Sequence, residues 1–184
     1  MEPKRKKIKI LLPIFICLIM ITSILGFMSS SDSEKVKYKG YVFREINNGW
    51  STYIKDKQIL LVNNPDELKE NSTGVTLEKL NSAQKIYLSI NPEDNLFLSG
   101  LQNNIIPFLT PKLVTACYED TDACINLPLK DCKDAVNSIK VILVKKSENS
   151  KFYYKDNCLV IEGDKEEIIK SIDRLTLELL FNEI

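Results

Sequence analysis

Four cysteines are the residues of this chain best suited to chemistry: Cys117, Cys124, Cys132 and Cys158. Three of them fall in CYEDTDACINLPLKDCKD (117–134), among acidic residues and with little hydrophobic periodicity. Such thiols could bind zinc, exchange disulfides or be joined in pairs. Structural zinc sites mostly use C-x2–4-C pairs, and redox sites use C-x-x-C; neither spacing occurs here. An even set in a domain held outside the cytoplasm defaults to two disulfides. Three pairings of four cysteines are possible. Cys117–Cys124 with Cys132–Cys158 is preferred, because both bonds leave the chain uncrossed. The first closes a short acidic loop. The second ties the long connection to a strand just past a hairpin turn. Their expected work is to pin a loop that has no hydrophobic core of its own.

Other groups in the chain offer less. Glu119, Asp120, Asp122 and Asp131 are possible calcium donors, but Glu119-Asp120-Thr121-Asp122 lacks the spaced ligand pattern of an EF-hand loop. A solvated acidic loop is the plainer reading, so no metal and no cofactor is assigned. Histidine is absent, which removes the usual general base at neutral pH. The expected function is a membrane-tethered extracytoplasmic interaction or scaffold domain; the alternatives are an envelope enzyme using a pair of carboxylates across a cleft, or an auxiliary subunit of a membrane protein complex. Asn71-Ser72-Thr73 is the single N-x-[ST] sequon, making Asn71 a candidate glycosylation site.

The elements that must position these residues begin at the N-terminus. Residues 1–9 carry Lys4, Arg5, Lys6, Lys7 and Lys9, and residues 10–28 are uncharged. As a helix this run would extend roughly 28 Å, about one bilayer core. The basic flank places the N-terminus in the cytoplasm and the rest outside. The expectation is a single-pass transmembrane helix over 10–28, a polar tether over 29–35 and an extracytoplasmic domain over 36–184. A cleaved signal peptide with secretion is the rival, with Gly26 or Ser29 near the cut. Cys17, inside the run, reads as an apolar filler.

With Glu2 and the five basic residues of the flank set aside, the 25 basic and 25 acidic residues fall to 20 and 24, a net charge of −4. That weak, dispersed charge argues against nucleic acid as a partner. The partners expected are a protein or cell-envelope component on the outer side, and another membrane protein through the N-terminal helix.

Within the domain, 36–62 reads as an antiparallel meander with turns at 47–49 and 55–57, packed by Tyr41, Phe43, Trp50 and Tyr53. Asn64-Pro65-Asp66-Glu67 starts a short helix. KIYLSI (85–90) alternates as a strand. NPED (91–94) then opens a helix to about residue 109, bringing Phe97, Leu101, Ile105 and Phe108 to one face. Strands are expected over 112–118, over 138–146 as a central strand, and over 152–163 as a hairpin, the last two forming one antiparallel unit. Asp164 and Glu167 cap a C-terminal helix with an Ile168, Ile172, Leu175, Leu179 stripe. The fold class expected is α+β: the transmembrane helix, then one mostly antiparallel sheet with helices packed on one side.

Several of these stretches occur together in a recognisable order: the basic-led anchor, YKGYVF…GW, NPED, ACYEDTDAC…LPLKDC, FYYKDNCLVIEG and SIDRLTLELL. In this the chain resembles uncharacterised archaeal single-pass membrane-anchored proteins with a cysteine-containing extracytoplasmic domain. The resemblance spans nearly the whole chain and brings no catalytic residues. It implies a cell-surface location and cysteines that act as one structural set.

Overall fold

The computed structural model describes residues 13–23, 33–68 and 72–181, divided between two units, Met1–Glu34 and Lys35–Ile184. Asn71 lies outside the described residues. In the first unit, residues 13–23 form a helix, α1. Its described residues are fewer than the roughly 20 apolar residues that a bilayer crossing requires. Among the described residues no helix is long and apolar enough to cross a membrane. The expected transmembrane helix over 10–28 is therefore corrected to this shorter element.

The second unit is α+β and contains two sheets. The first is an antiparallel meander of β1 (Lys35–Tyr38), β2 (Tyr41–Ile46), β3 (Gly49–Ile54) and β4 (Lys57–Leu61). Besides the two turns expected in the meander there is a third, at Lys39-Gly40, where both residues take positive φ, 46° and 86°. Gly49 is needed at the start of β3: its φ is +138°, and a Cβ there would sit 2.0 Å from the Leu61 carbonyl oxygen. Phe43 and Trp50 are buried on the inner face, whereas Tyr53 is exposed on the outer one.

The second sheet has the order β6-β5-β7-β9-β8, from β5 (Lys85–Ser89), β6 (Lys112–Ala116), β7 (Ile139–Lys146), β8 (Lys151–Lys155) and β9 (Cys158–Gly163). Neighbours are parallel except β8 with β9. One mostly antiparallel sheet is thus corrected to two sheets, the second largely parallel. The proposed antiparallel unit of 138–146 and 152–163 fails for the same reason: β9 enters between β7 and β8 and runs parallel to β7. The burial pattern explains this. Val141–Val144 and Cys158–Ile161 are buried without alternation, as central parallel strands are, while β8 alternates and takes the edge.

The faces of this sheet are covered differently. One shares a core with the meander and with α3 (Lys165–Phe181), whose Ile168, Ile172, Leu175 and Leu179 are buried as the stripe requires. Phe181 reaches across to the meander, edge-on to Tyr41 at 4.8 Å and tilted to Phe43 at 5.4 Å. On the other face Val141, Leu143, Cys158 and Val160 pack with Tyr87, Tyr118, Cys132 and Ala135, largely beneath the cysteine-bearing loop.

The helix expected from 91 to 109 is broken. A single 3-10 turn, Pro92–Asp94, stops at Asn95 in the left-handed region. A π turn, Leu101–Ile105, and a 3-10 turn, Ile106–Phe108, follow. Leu101 and Ile105 are buried as expected, but Phe97 is 55% exposed. Pro65–Leu68 is likewise one 3-10 turn, with the Asp66 N–H donating to Asn64 Oδ1. A short helix, α2 (Leu77–Asn81), capped by Thr76, lies where no element was expected.

Candidate functional site

The cysteines pair as Cys117–Cys124 and Cys132–Cys158, with Cα atoms 6.1 and 5.2 Å apart. Both bonds consume the thiolates that zinc would need. Cys17 is not in a disulfide. Of the acids named as calcium donors, Glu119 and Asp131 are held in separate structural contacts. Asp131 and Asp134 form a reciprocal capping box around the Cys132–Asp134 turn. Glu119 accepts from the Asn91 side chain at 2.8 Å. The Tyr118 hydroxyl donates to Asp94 at 2.9 Å, and burial with that contact pushes its phenol up. No group of three or more metal-ligating side chains converges among the described residues.

The concave site lies elsewhere, between β4, the π turn and α3. It is a cavity of about 330 Å³ lined mainly by Ile46, Leu60, Val62, Phe97, Ile169 and Ile172. A mostly apolar pocket with few polar groups is the usual form of a ligand site. Asp173 is the one ionisable residue in its lining among the described residues, and it is 1% exposed.

Strand β4 is the open edge of the meander, and side chains close it. Asn104 accepts from the Leu60 N–H at 3.1 Å and donates back to the Leu60 carbonyl at 2.6 Å. This amide copies the pairing of a neighbouring strand. Asp173 Oδ2 accepts three hydrogen bonds, from the N–H groups of Val62 and Asn63 and from the Asn63 side chain, all at 2.8–2.9 Å. Donors of this kind favour a charged carboxylate. Burial opposes it and wins, pushing the Asp173 carboxyl up to about 6. Oδ1, the other oxygen, accepts no hydrogen bond from the described residues and lies 3.9 Å from where a Gly100 Cβ would stand.

Outside the cavity mouth exposed apolar side chains continue among Lys35, Lys37, Arg44 and Gln58. Alternation puts Val42, Ile46, Tyr53, Leu60 and Val62 on the outer face of the meander, each at least 39% exposed. A shallow depression of this face takes in Val42, Ile46 and Tyr53 together with Arg44, Ser51 and Gln58.

Neither Asp173 nor Asn104 is visible as a site in the sequence reading. One signal was available: Asp173 stands four residues after Ile169 and three before Thr176, so an acid falls inside the buried stripe of α3. Asn104 gives no comparable signal, because its partner is a backbone distant in sequence.

No protein-family model, curated protein or solved structure matches this chain.

Proposed function

We propose that this protein is an interaction domain working on the extracytoplasmic side of the cell membrane, where it holds a protein of the cell envelope. The observation that carries the reading is the set of exposed apolar side chains on the outer face of the meander, Val42, Ile46, Tyr53, Leu60 and Val62, which stand among exposed Lys35, Lys37, Arg44 and Gln58 and adjoin the Asp173 cavity. Soluble domains seldom leave such a patch uncovered, and patches of this kind mark association sites. The two disulfides support an oxidising compartment.

Photocrosslinking in the native host tests the docking face. A benzophenone amino acid is placed at Tyr53 or Val62, and as a control at Ile125, which is 76% exposed on the cysteine loop. A discrete protein adduct from positions 53 and 62, absent from 125, is the expected result. Adducts from 125 alone, or from none, would overturn the docking reading. The compartment is tested separately by intact mass of the full chain. Export predicts alkylation of Cys17 alone before reduction and of all five cysteines afterwards. Further alkylation before reduction would place the chain in a reducing compartment.

A further inference from the structure

We infer that the cavity beneath the meander is a socket for a lysine side chain of the partner protein, its ammonium meeting Asp173 Oδ1 and its alkyl stem lying along the apolar lining. The inference rests on the docking reading above and specifies what that surface would recognise. Three observations carry it. Among the described residues the lining contains one acid and no Lys or Arg, so the site is complementary to a cation. The acid is almost fully buried, yet among the described residues one oxygen takes all three of its hydrogen bonds and the other takes none. The walls leading to it are aliphatic or aromatic: Ile46, Leu60, Val62, Phe97, Ile169 and Ile172.

This arrangement selects between cations. A guanidinium fork engages a carboxylate best through both oxygens. Here the Val62 and Asn63 donors occupy Oδ2, which leaves one oxygen and suits a compact ammonium. The apolar stem of lysine is the part that an apolar wall can hold while its head stays paired. Ser99 and Asn103 also line the cavity and offer acceptors for the remaining ammonium protons.

The test uses the full chain with n-butylammonium chloride as the probe, and 1-butanol and sodium chloride as controls. Amide shifts of Val62 and Asn63 and the side-chain amide of Asn104 report binding. Butylammonium is expected to bind at least about tenfold more tightly than butanol, as a charge-assisted hydrogen bond implies. Asp173→Asn retains an oxygen for the Val62 and Asn63 donors and is expected to abolish that preference. Equal binding of butanol, equal shifts with sodium chloride, or no shifts with any of them would overturn the inference. So would an undiminished preference in a folded Asp173→Asn chain. If that variant does not fold, the ammonium-to-butanol ratio in the unaltered chain decides alone. Crosslinking from Tyr53 and Val62 without ammonium binding would sink the socket and leave the docking reading standing. Ammonium binding without those crosslinks would sink the partner's lysine along with the docking reading.

Discussion

The buried carboxyl of Asp173 makes stability depend on pH in a direction opposite to that of most carboxylates. Its folded pKa is raised from 3.8 to about 6, because burial outweighs three donated hydrogen bonds. Below 3.8 the group is protonated in both folded and unfolded chains and costs nothing as a charge. Between 3.8 and about 6 the unfolded chain ionises first, so each rise in pH favours unfolding. Above about 6 both states are ionised and the loss is complete. At roughly 1.36 kcal/mol for each pH unit, the interval is worth about 3 kcal/mol. A carboxylate whose folded pKa is depressed would do the reverse, gaining stability as pH rises towards 3.8 and none above it.

The assay is urea unfolding of the full chain with disulfides intact, repeated from pH 3.5 to 7.5 for the parent and for Asp173→Asn. Trp50 is the sole tryptophan and is buried, so its fluorescence reports the unit that holds the site. Other acids titrate in both chains, and the difference between the two curves removes them. That difference should move by about 3 kcal/mol in favour of the asparagine variant as pH rises through the window. A difference that stays flat, or moves in favour of the parent, would refute the account of Asp173 as a carboxylate ionised against its burial.

Three further outcomes follow from the same geometry. Glu178→Ala removes an acceptor for Ser72, Thr73 and Gly74, including two backbone N–H groups; it should cost about 2–4 kcal/mol and speed hydrogen exchange at Thr73 and Gly74. Replacing Cys132 and Cys158 by serine opens a connection with a sequence separation of 26 and should cost about 3.5 kcal/mol, against about 2.5 kcal/mol for Cys117 and Cys124, separated by 7. Paired denaturation curves would show whether that order holds. Leu175→Asp places a charge where exposure is 0% and should abolish the folded state; normal resistance to proteolysis would contradict it.

The parts of this fold legible in the sequence are those governed by local pattern. The Leu175 stripe, the turn after Ile54 and the uninterrupted apolar run of β7 each carry a period or a turn signal within a few residues. The preferred cysteine pairing rested on an uncrossed chain and needed no distant contact. What escaped is pairing between distant segments. Whether Cys158–Gly163 runs parallel or antiparallel to β7 depends on where β8 finds its place, and hairpin chemistry at Asp156-Asn157 cannot report that. The broken helix before β6 escaped for a related reason. The spacing of Leu101 and Ile105 fits a helix, but Asn104 is drawn to the edge of β4 and Asn95 turns left-handed. Tertiary hydrogen bonds override propensity there.

The two buried acids of α3 show how a structural carboxylate can be told from one with capacity to spare. Both fasten the connection between the sheets: Asp173 at Val62 and Asn63, Glu178 at Ser72 through Gly74. Glu178 is saturated. Its Oε1 accepts from Ser72 and Gly74, and its Oε2 accepts twice from Thr73. Fastening requires no more than this, and each oxygen is used. Asp173 does the same task with Oδ2 alone, while Oδ1 meets no donor among the described residues in a mostly apolar cavity. If fastening were its whole role, an asparagine would serve there without the charge, and the chain would be spared the cost of ionising it. Retaining a carboxylate at that cost makes sense if the idle oxygen meets a cation. The pH dependence of stability and the ammonium preference of the cavity are therefore two readings of one group.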